Sequence, residues 1–461
     1  MTRKTKVLTA TATVVGALIA AVPWLVPLDR WIPDVEAQAT RQLGEPVRID
    51  SLRVYLLPRP HVTARGIRVG TAPMLDVGSL RLTPSLLHLF ADVKLLSEVR
   101  LERVTITQEL LRHLASLSRT QARTDAVKWR IQRVVLNSAE LRLRTATLRN
   151  LYVEMSMRAD GVPEEIQLNQ DAGHLRAVAR AEGKEAFRLE IAARDWKLPA
   201  GPALVFERLD ATALLTSRSI ISRDLVARLY GGRVAGPVAV SWKPDWIIAS
   251  ELSIDQVGLQ PLAALLSRDH PVSGRLTANP RIVLRAHDAI DLPVNMQIES
   301  EFKIEDGVLH NIDLLAAVRN PFSKDAAKDG FTSFQELSGH LVVDREGYRF
   351  SRLKVASGLL GAEGEMTIGR DQRLSGRIDA ELKGTASLLA MPLQITGTIQ
   401  EPNVFPTKTA MAGAVAGSVL MPVIGTAAGI KAGQLVEKFL GQLDEPAAPR
   451  DSSPEVRQPR K

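Results

Sequence analysis

The chain predicts a mainly β, mostly antiparallel fold behind an N-terminal membrane helix. Three observations carry this. Short runs alternate apolar and polar residues with period two, as in Leu151, Val153, Met155 and Met157 against Tyr152, Glu154, Ser156 and Arg158, or Ile378, Ala380 and Leu382 against Arg377, Asp379, Glu381 and Lys383. Turn signals punctuate these runs at Asp160-Gly161, Glu182-Gly183, Gly231-Gly232, Asp306-Gly307 and Glu346-Gly347. Helical patterns are few, at Ser85–Phe90, Glu109–Ser118, Leu259–Leu266 and Asn311–Val318, the last two placed to cover a sheet edge or end.

In order, Arg3, Lys4 and Lys6 precede an uncharged run from Val7 to Leu28. A helix of that length spans about 33 Å, enough to cross a bilayer core. The preceding basic residues predict a cytoplasmic N-terminus with the bulk of the chain exported. Ala37-Gln38-Ala39 resembles a signal-peptidase site, but it lies well beyond the apolar run, so an uncleaved anchor is favoured. Asp34 to Leu43 reads as a short helix capped by Asp34 and ended by Gly44, with Val35, Ala39 and Leu43 on one stripe. Two strands follow, the first with Val47, Ile49, Val54 and Leu56 as its apolar positions and the second from His61 to Gly70. They bend at Pro58-Arg59-Pro60, and Gly66 stands where a bulge would be tolerated. Asn320 to Gly330 reads as a polar loop. Met411 to Ile430 carries no charge, and Gly413, Gly417, Gly425 and Gly429 fall on a four-residue row that lets helices approach closely. That segment is a buried helical hairpin, a membrane-inserting or membrane-docking one, or a flexible linker. The proline-bearing tail from 444 to 461 predicts disorder.

Composition bounds the function. There are 461 residues, 45% of them hydrophobic but only 4% aromatic, so apolar surface is aliphatic. The absence of cysteine excludes disulfides and cysteine-ligated metal centres. The net charge of +8 is modest for this length. The arginines from Arg100 to Arg158 largely alternate with apolar residues, as in Leu141-Arg142-Leu143-Arg144, and read as the wet face of strands rather than a nucleic-acid surface. Candidate chemistry dissolves on inspection. The nearest histidines, His270 and His287, are too far apart for a helical metal pair. Ser351-Arg352-Leu353-Lys354 matches S-x-x-K but sits in a strand pattern without partner motifs. Gly231 to Gly236 has no lysine-hydroxyl pair after it and is no phosphate loop. An enzyme, a metal and a cofactor are therefore not expected.

By pattern alone the apolar strand faces fit either a closed sandwich or barrel or an open trough. Several stretches bear on this. G-E-P-V-R-I (Gly44–Ile49) and L-L-P-R-P (Leu56–Pro60) follow the anchor and short helix. F-K-I-E-D-G-V-L-H-N-I-D-L (Phe302–Leu314), F-Q-E-L-S-G (Phe334–Gly339) and G-L-L-G-A-E-G-E-M-T-I-G (Gly358–Gly369) come later. In this order they resemble the motifs of the AsmA family, membrane-anchored periplasmic proteins of outer-membrane assembly that are similar to chorein-type bridge-like lipid-transfer proteins. Residues 100 to 290 carry no matching motif. The resemblance implies a long, twisted sheet curled into a groove, an inner-membrane anchor with the bulk in the periplasm, and phospholipids as partners in intermembrane transport and outer-membrane biogenesis. The groove lining would come from Val47, Ile49, Val54, Leu56, Val104, Ile106, Leu141, Leu143, Val153, Met155, Leu189, Ile191, Phe302, Ile304, Ile378 and Leu382. The other reading is a non-transporting structural or regulatory factor that contacts outer-membrane precursors or the assembly machinery, with no nucleic acid in either case. The expected organisation is an anchor over 1–30, helix and strands over 31–95, a repetitive sheet over 96–295, a second β domain over 296–406, an apolar glycine-rich segment over 407–443 and the tail.

Overall fold

A computed structural model describes residues 28–71, 74–86, 93–110, 129–144, 146–183, 186–199, 203–266, 272–319, 330–358, 360–383 and 391–407. Strand accounts for 69% and helix for 12% of the structure, so the fold is mainly β, as the alternation predicts. No helix among the described residues is long and apolar enough to cross a membrane. The predicted anchor from Val7, the row Gly413 to Gly429, and the tail lie outside the described residues apart from Leu28, which opens a short 3-10 turn, Leu28–Trp31. Of the predicted helices Ser85–Phe90 and Glu109–Ser118 and the loop Asn320–Gly330, all but residues 85–86, 109–110 and 330 lie outside them too.

The chain divides into two compact units, 1–210 and 211–461. The N-terminal unit begins with helix α1 (Ile32–Leu43), whose Gly44 cap takes φ +70° and donates its N–H to the Thr40 carbonyl. The helix starts two residues before the predicted Asp34 cap, because Pro33 fits the first turn and Trp31 stands as N-cap. Of the predicted stripe, Ala39 and Leu43 pack inward while Val35 is exposed. The strands that follow are β1 (Val47–Tyr55), β2 (His61–Val69), β3 (Leu75–Pro84), β4 (Lys94–Thr107), β5 (Trp129–Ile131), β6 (Arg133–Arg142), β7 (Thr147–Met157), β8 (Pro163–Gln170), β9 (Leu175–Glu182) and β10 (Ala186–Lys197). β1–β4 and β6–β10 pair in succession and antiparallel within each run, and β5 and β6 both pair parallel to β4. The proline bend between β1 and β2 forms as predicted, closed by stacking of Tyr55 on His61 at 4.9 Å.

The free edge of β1 is partly occupied by α1. The Val47 N–H donates to Thr40 Oγ1 at 3.1 Å and the Ile49 N–H to Glu36 Oε1 at 2.7 Å. These two donors would otherwise be unpaired at the sheet margin.

A crease runs across the first strands. Asp50, Gly66, Gly78, Arg103 and Ser138 stand opposite one another from β1 to β6. Gly66, Arg103 and Ser138 have φ of +62°, +53° and +54°. A Cβ on Gly66 would fall 1.9 Å from Asp50 Oδ2, so the glycine makes room for that carboxylate as well as supplying the backbone turn. Because each strand carries its additional residue at the same level, the pairing continues unshifted while side-chain parity changes. Apolar positions therefore step by three across the crease: Ile49 to Leu52, Val77 to Leu80, Leu101 to Val104, Leu136 to Ala139.

The division between units falls within β11 (Val205–Thr216). The C-terminal unit continues through β12 (Ser219–Leu229), β13 (Gly232–Ser241), β14 (Trp246–Glu251), β15 (Ser253–Gly258), helix α2 (Leu259–Leu266), β16 (Val272–Ala278), β17 (Arg281–Ala286), β18 (Met296–His310) and helix α3 (Leu314–Arg319). It closes with β19 (Phe331–Val343), β20 (Gly347–Ala356), β21 (Leu360–Gly369), β22 (Leu374–Leu382), β23 (Met391–Gly397) and β24 (Pro402–Pro406). Their pairings are all antiparallel. Asp306-Gly307, read from sequence as a turn, instead kinks the interior of β18, with Asp306 at φ +49°. A bend inside a long paired strand and a hairpin turn use the same residue types, which explains the difference.

Candidate functional site

In the N-terminal unit the register lines apolar side chains into rungs that cross the strands. Nearest α1, one rung joins Val47, Val69, Leu75, Ile106, Leu141 and Leu148, and the next joins Ile49, Ile67, Val77, Val104, Ala139 and Leu151. These two rungs, with Ala39 and Leu43 of α1 against them, form most of the buried core of the unit, and Ala64 with the half-buried Leu52, Leu80, Leu101, Leu136 and Leu168 beyond the crease packs at its margin. Val77 and Val104 are each 1% exposed.

Beyond the crease two further rungs span nine strands. The first runs from Leu52, Ala64, Leu80 and Leu101 through Leu136, Val153 and Leu168 to Ala177 and Ile191. The second runs from Val54, Val62, Leu82 and Val99 through Val134, Met155 and Ile166 to Ala179 and Leu189. No charged, polar or aromatic residue interrupts either one. Apart from the small Ala64 and Ala179, every member is half-buried: flanked by neighbours in the sheet yet still open on top. The second rung contributes nothing to the buried core cluster. At about 4.8 Å per strand it follows a path of about 40 Å.

The opposite face is largely ionic, around the buried Val135 and Val178. Arg133 meets Glu154 at 2.6 Å, Arg180 bridges Glu165 and Glu190 at 2.9 and 3.1 Å, and Arg188 meets Glu182 at 2.8 Å. Hydrogen bonds from these partners hold carboxyls below the ordinary carboxylate range: Glu154 chiefly through Arg133, Glu182 through Arg188, and Glu165 through Gln167 and then Arg180. The two faces thus differ sharply in the company they can keep.

No family model matches this chain, and no curated protein or solved structure does.

The C-terminal unit treats its apolar face differently. A rung of Val257, Leu276, Ile304, Leu337, Val355, Ala362, Ala380 and Met391 lies in a core completed by α3, whose Leu314, Ala317 and Val318 are buried against it. The Leu314 N–H donates to Thr332 Oγ1 at 2.9 Å, and that hydroxyl donates to the Ile312 carbonyl at 2.7 Å, fixing where the helix begins. A half-buried rung, formed by Ile220, Val240, Ile248, Leu284 and Met296, lies at the other strand ends.

The predicted lining residues sort accordingly. Val47, Ile49, Val104, Ile106 and Leu141 belong to the core under α1. Val54, Val153, Met155, Leu189 and Ile191 stand on the two open rungs. Leu56 and Leu143 are half-buried just past the ends of β1 and β6. Phe302, Ile304 and Ile378 pack in the C-terminal core, Phe302 edge-on to Phe350 at 6.0 Å. Leu382 ends β22 opposite Leu360, and its side chain lies outside the described residues. Sequence reading missed Val62, Leu82, Val99, Val134 and Ile166. Their signal was present in the alternation, but only the register shows that they continue the line of Met155.

Proposed function

We propose that the chain binds phospholipid acyl chains along the two open rungs of its N-terminal unit and supports movement of lipid between membranes from an inner-membrane anchor. The observation that carries this reading is the unbroken, half-exposed aliphatic line from Val54 to Leu189. Contiguous apolar surface of this extent marks an interaction site. Its aliphatic, unbranching path, without hydrogen-bonding groups to fix an orientation, suits saturated chains that must slide better than a folded partner with shape of its own. The basic residues ahead of the 7–28 run, and the AsmA-like motifs at Gly44–Pro60 and Phe302–Gly369, support the anchored, periplasmic setting.

The test is native mass spectrometry with lipid extraction on the full chain, purified in detergent and transferred to a gentle carrier. Several co-purified phospholipids per chain are expected from the wild type, with loss on Met155→Asp and on Val134→Asp while circular dichroism stays native. A lipid-free wild-type particle would sink the reading and leave the assembly-factor role as the stronger one.

A further inference from the structure

The polar face of the first hairpin carries an unusual gathering of cations without counter-ions. Arg53 of β1 and Arg81 of β3 stand in register on either side of Thr63 of β2, and Arg65 lies two positions along β2 on the same face. All three arginines are exposed, and no described residue pairs with their charge. The carboxylates on these strands have partners of their own, and the nearest of them, Glu102, stands beside the site through Ser79, which lies opposite Arg65. Asp50 holds Arg68 at 2.6 Å, Glu98 holds Arg100 at 2.9 Å, and Glu102 accepts from Ser79 at 3.1 Å. Asp76 lies toward the other end of β3, opposite Arg68.

Thr63 supplies an independent observation. It is 8% exposed, and its Oγ1 is buried without a hydrogen-bonding partner among the described residues. Buried hydroxyls are nearly always paired, so an orphan flanked in register by Arg53 and Arg81 is informative. Neighbouring strands are about 4.8 Å apart, which puts the Arg53 and Arg81 backbones about 10 Å from each other with Thr63 midway. Arg65 lies on the diagonals, about 7–8 Å from each. Long arginine side chains converge readily over that span, and a planar guanidinium presents paired donors that match phosphate oxygens.

We infer that Arg53, Thr63, Arg65 and Arg81 form an anion site that takes a phosphate group, with the Thr63 hydroxyl as the central donor and the arginines as its walls. The phosphate is either free or carried on a lipid headgroup. The site lies on the face opposite the apolar rungs and stands independently of them.

The experiment is isothermal titration of the full chain in neutral detergent with three probes: inorganic phosphate, dihexanoyl phosphatidic acid and dihexanoyl phosphatidylcholine. Wild type is expected to bind phosphate and phosphatidic acid. The double substitution Arg53→Gln with Arg81→Gln should weaken both on the order of tenfold or more, and Thr63→Val about fivefold. Arg228→Gln, an exposed arginine of the C-terminal unit, should change neither. Phosphatidic acid binding more tightly than phosphate identifies the headgroup as the source, and the reverse order identifies free phosphate; both uphold the site. Unchanged binding in the double variant, or no binding of either anion by folded wild type, overturns it. Met155→Asp should keep phosphate binding intact, so failure of the acyl-chain reading and failure of the anion site register separately.

Discussion

In the N-terminal unit Met155 and Val134 stand half-exposed on an uncovered apolar line, whereas in the C-terminal unit Ile304 and Ile378 lie beneath a helix that fills the same kind of face. Both units are built from strands of similar length with one apolar and one charged face. What differs is the cover. Helix α1 packs on the near side of the crease; the first rung beyond it borders that core, and the second rung lies outside it. Helix α3 projects Leu314, Ala317 and Val318 into the centre of its sheet and seals it. The lesson is that an alternating strand becomes core or surface according to a few residues far away in the chain.

An identical chemical insult should separate the two units most widely. Ile304→Asp places a carboxylate in a sealed core and is expected to cost more than about 4 kcal/mol, seen as loss of the cooperative unfolding transition. Met155→Asp, on an open rung, should cost about 1 kcal/mol in denaturant titration, since only part of its apolar area is buried. Equal losses would erase the distinction between open and sealed faces.

Removing the cover itself comes next. Leu314→Ala, at a residue 1% exposed, should destabilise the C-terminal unit by about 2–5 kcal/mol. It should also create apolar surface able to bind a hydrophobic dye, which the wild-type unit does not bind there. A smaller effect is expected at the kink in β18. A Cβ on Gly307 would lie 2.3 Å from Phe334 Cζ and 2.4 Å from the Ser273 carbonyl oxygen, so Gly307→Ala should cost about 1–3 kcal/mol in thermal unfolding.

The least of these effects concerns acid. On the ionic face of the N-terminal unit Glu140, Glu154, Glu165 and Glu182 are all held below the ordinary carboxylate range, Glu140 chiefly by the hydrogen bond from Arg142. In the C-terminal unit Glu305 is held down likewise, chiefly by Lys303. A depressed carboxyl contributes stability that is complete above its unfolded value, near 4.5, and is lost as pH falls through the lower folded value. Amide exchange in β6–β10 should therefore accelerate more than exchange in β18–β19 when the pH is taken from neutral to below 4. Equal acceleration would show that these ion pairs do not distinguish the units.

Much of the fold is legible in the residues. The alternation at Leu151–Met157 and Arg377–Lys383 becomes β7 and β22, and Leu259–Leu266 becomes α2 with the predicted bounds. The change of phase between Ile49 and Leu52 is also written in the chain, but its meaning depends on Gly66, Gly78 and Arg103 standing beside it, which no single strand reveals. The distinction between Met155 and Ile304 is illegible for a related reason. Each alternates with polar neighbours over a similar distance, and only the position of α3 decides which is covered. The arginines at 53, 65 and 81 read individually as solvated; their placement beside Thr63 follows from pairing across β1, β2 and β3.

The contact between α1 and β1 reaches beyond the protomer's own stability. A bare first strand is a template on which a second copy can extend the same sheet, and a protein made almost wholly of sheet is at particular risk of such end-to-end polymerisation. Thr40 and Glu36 take the two hydrogen-bonding positions that an incoming strand would need first, and exposed Arg48 and Arg53 set like charges where two copies would meet. The helix that packs on the core thus also shields the start of the first strand's edge against a second copy.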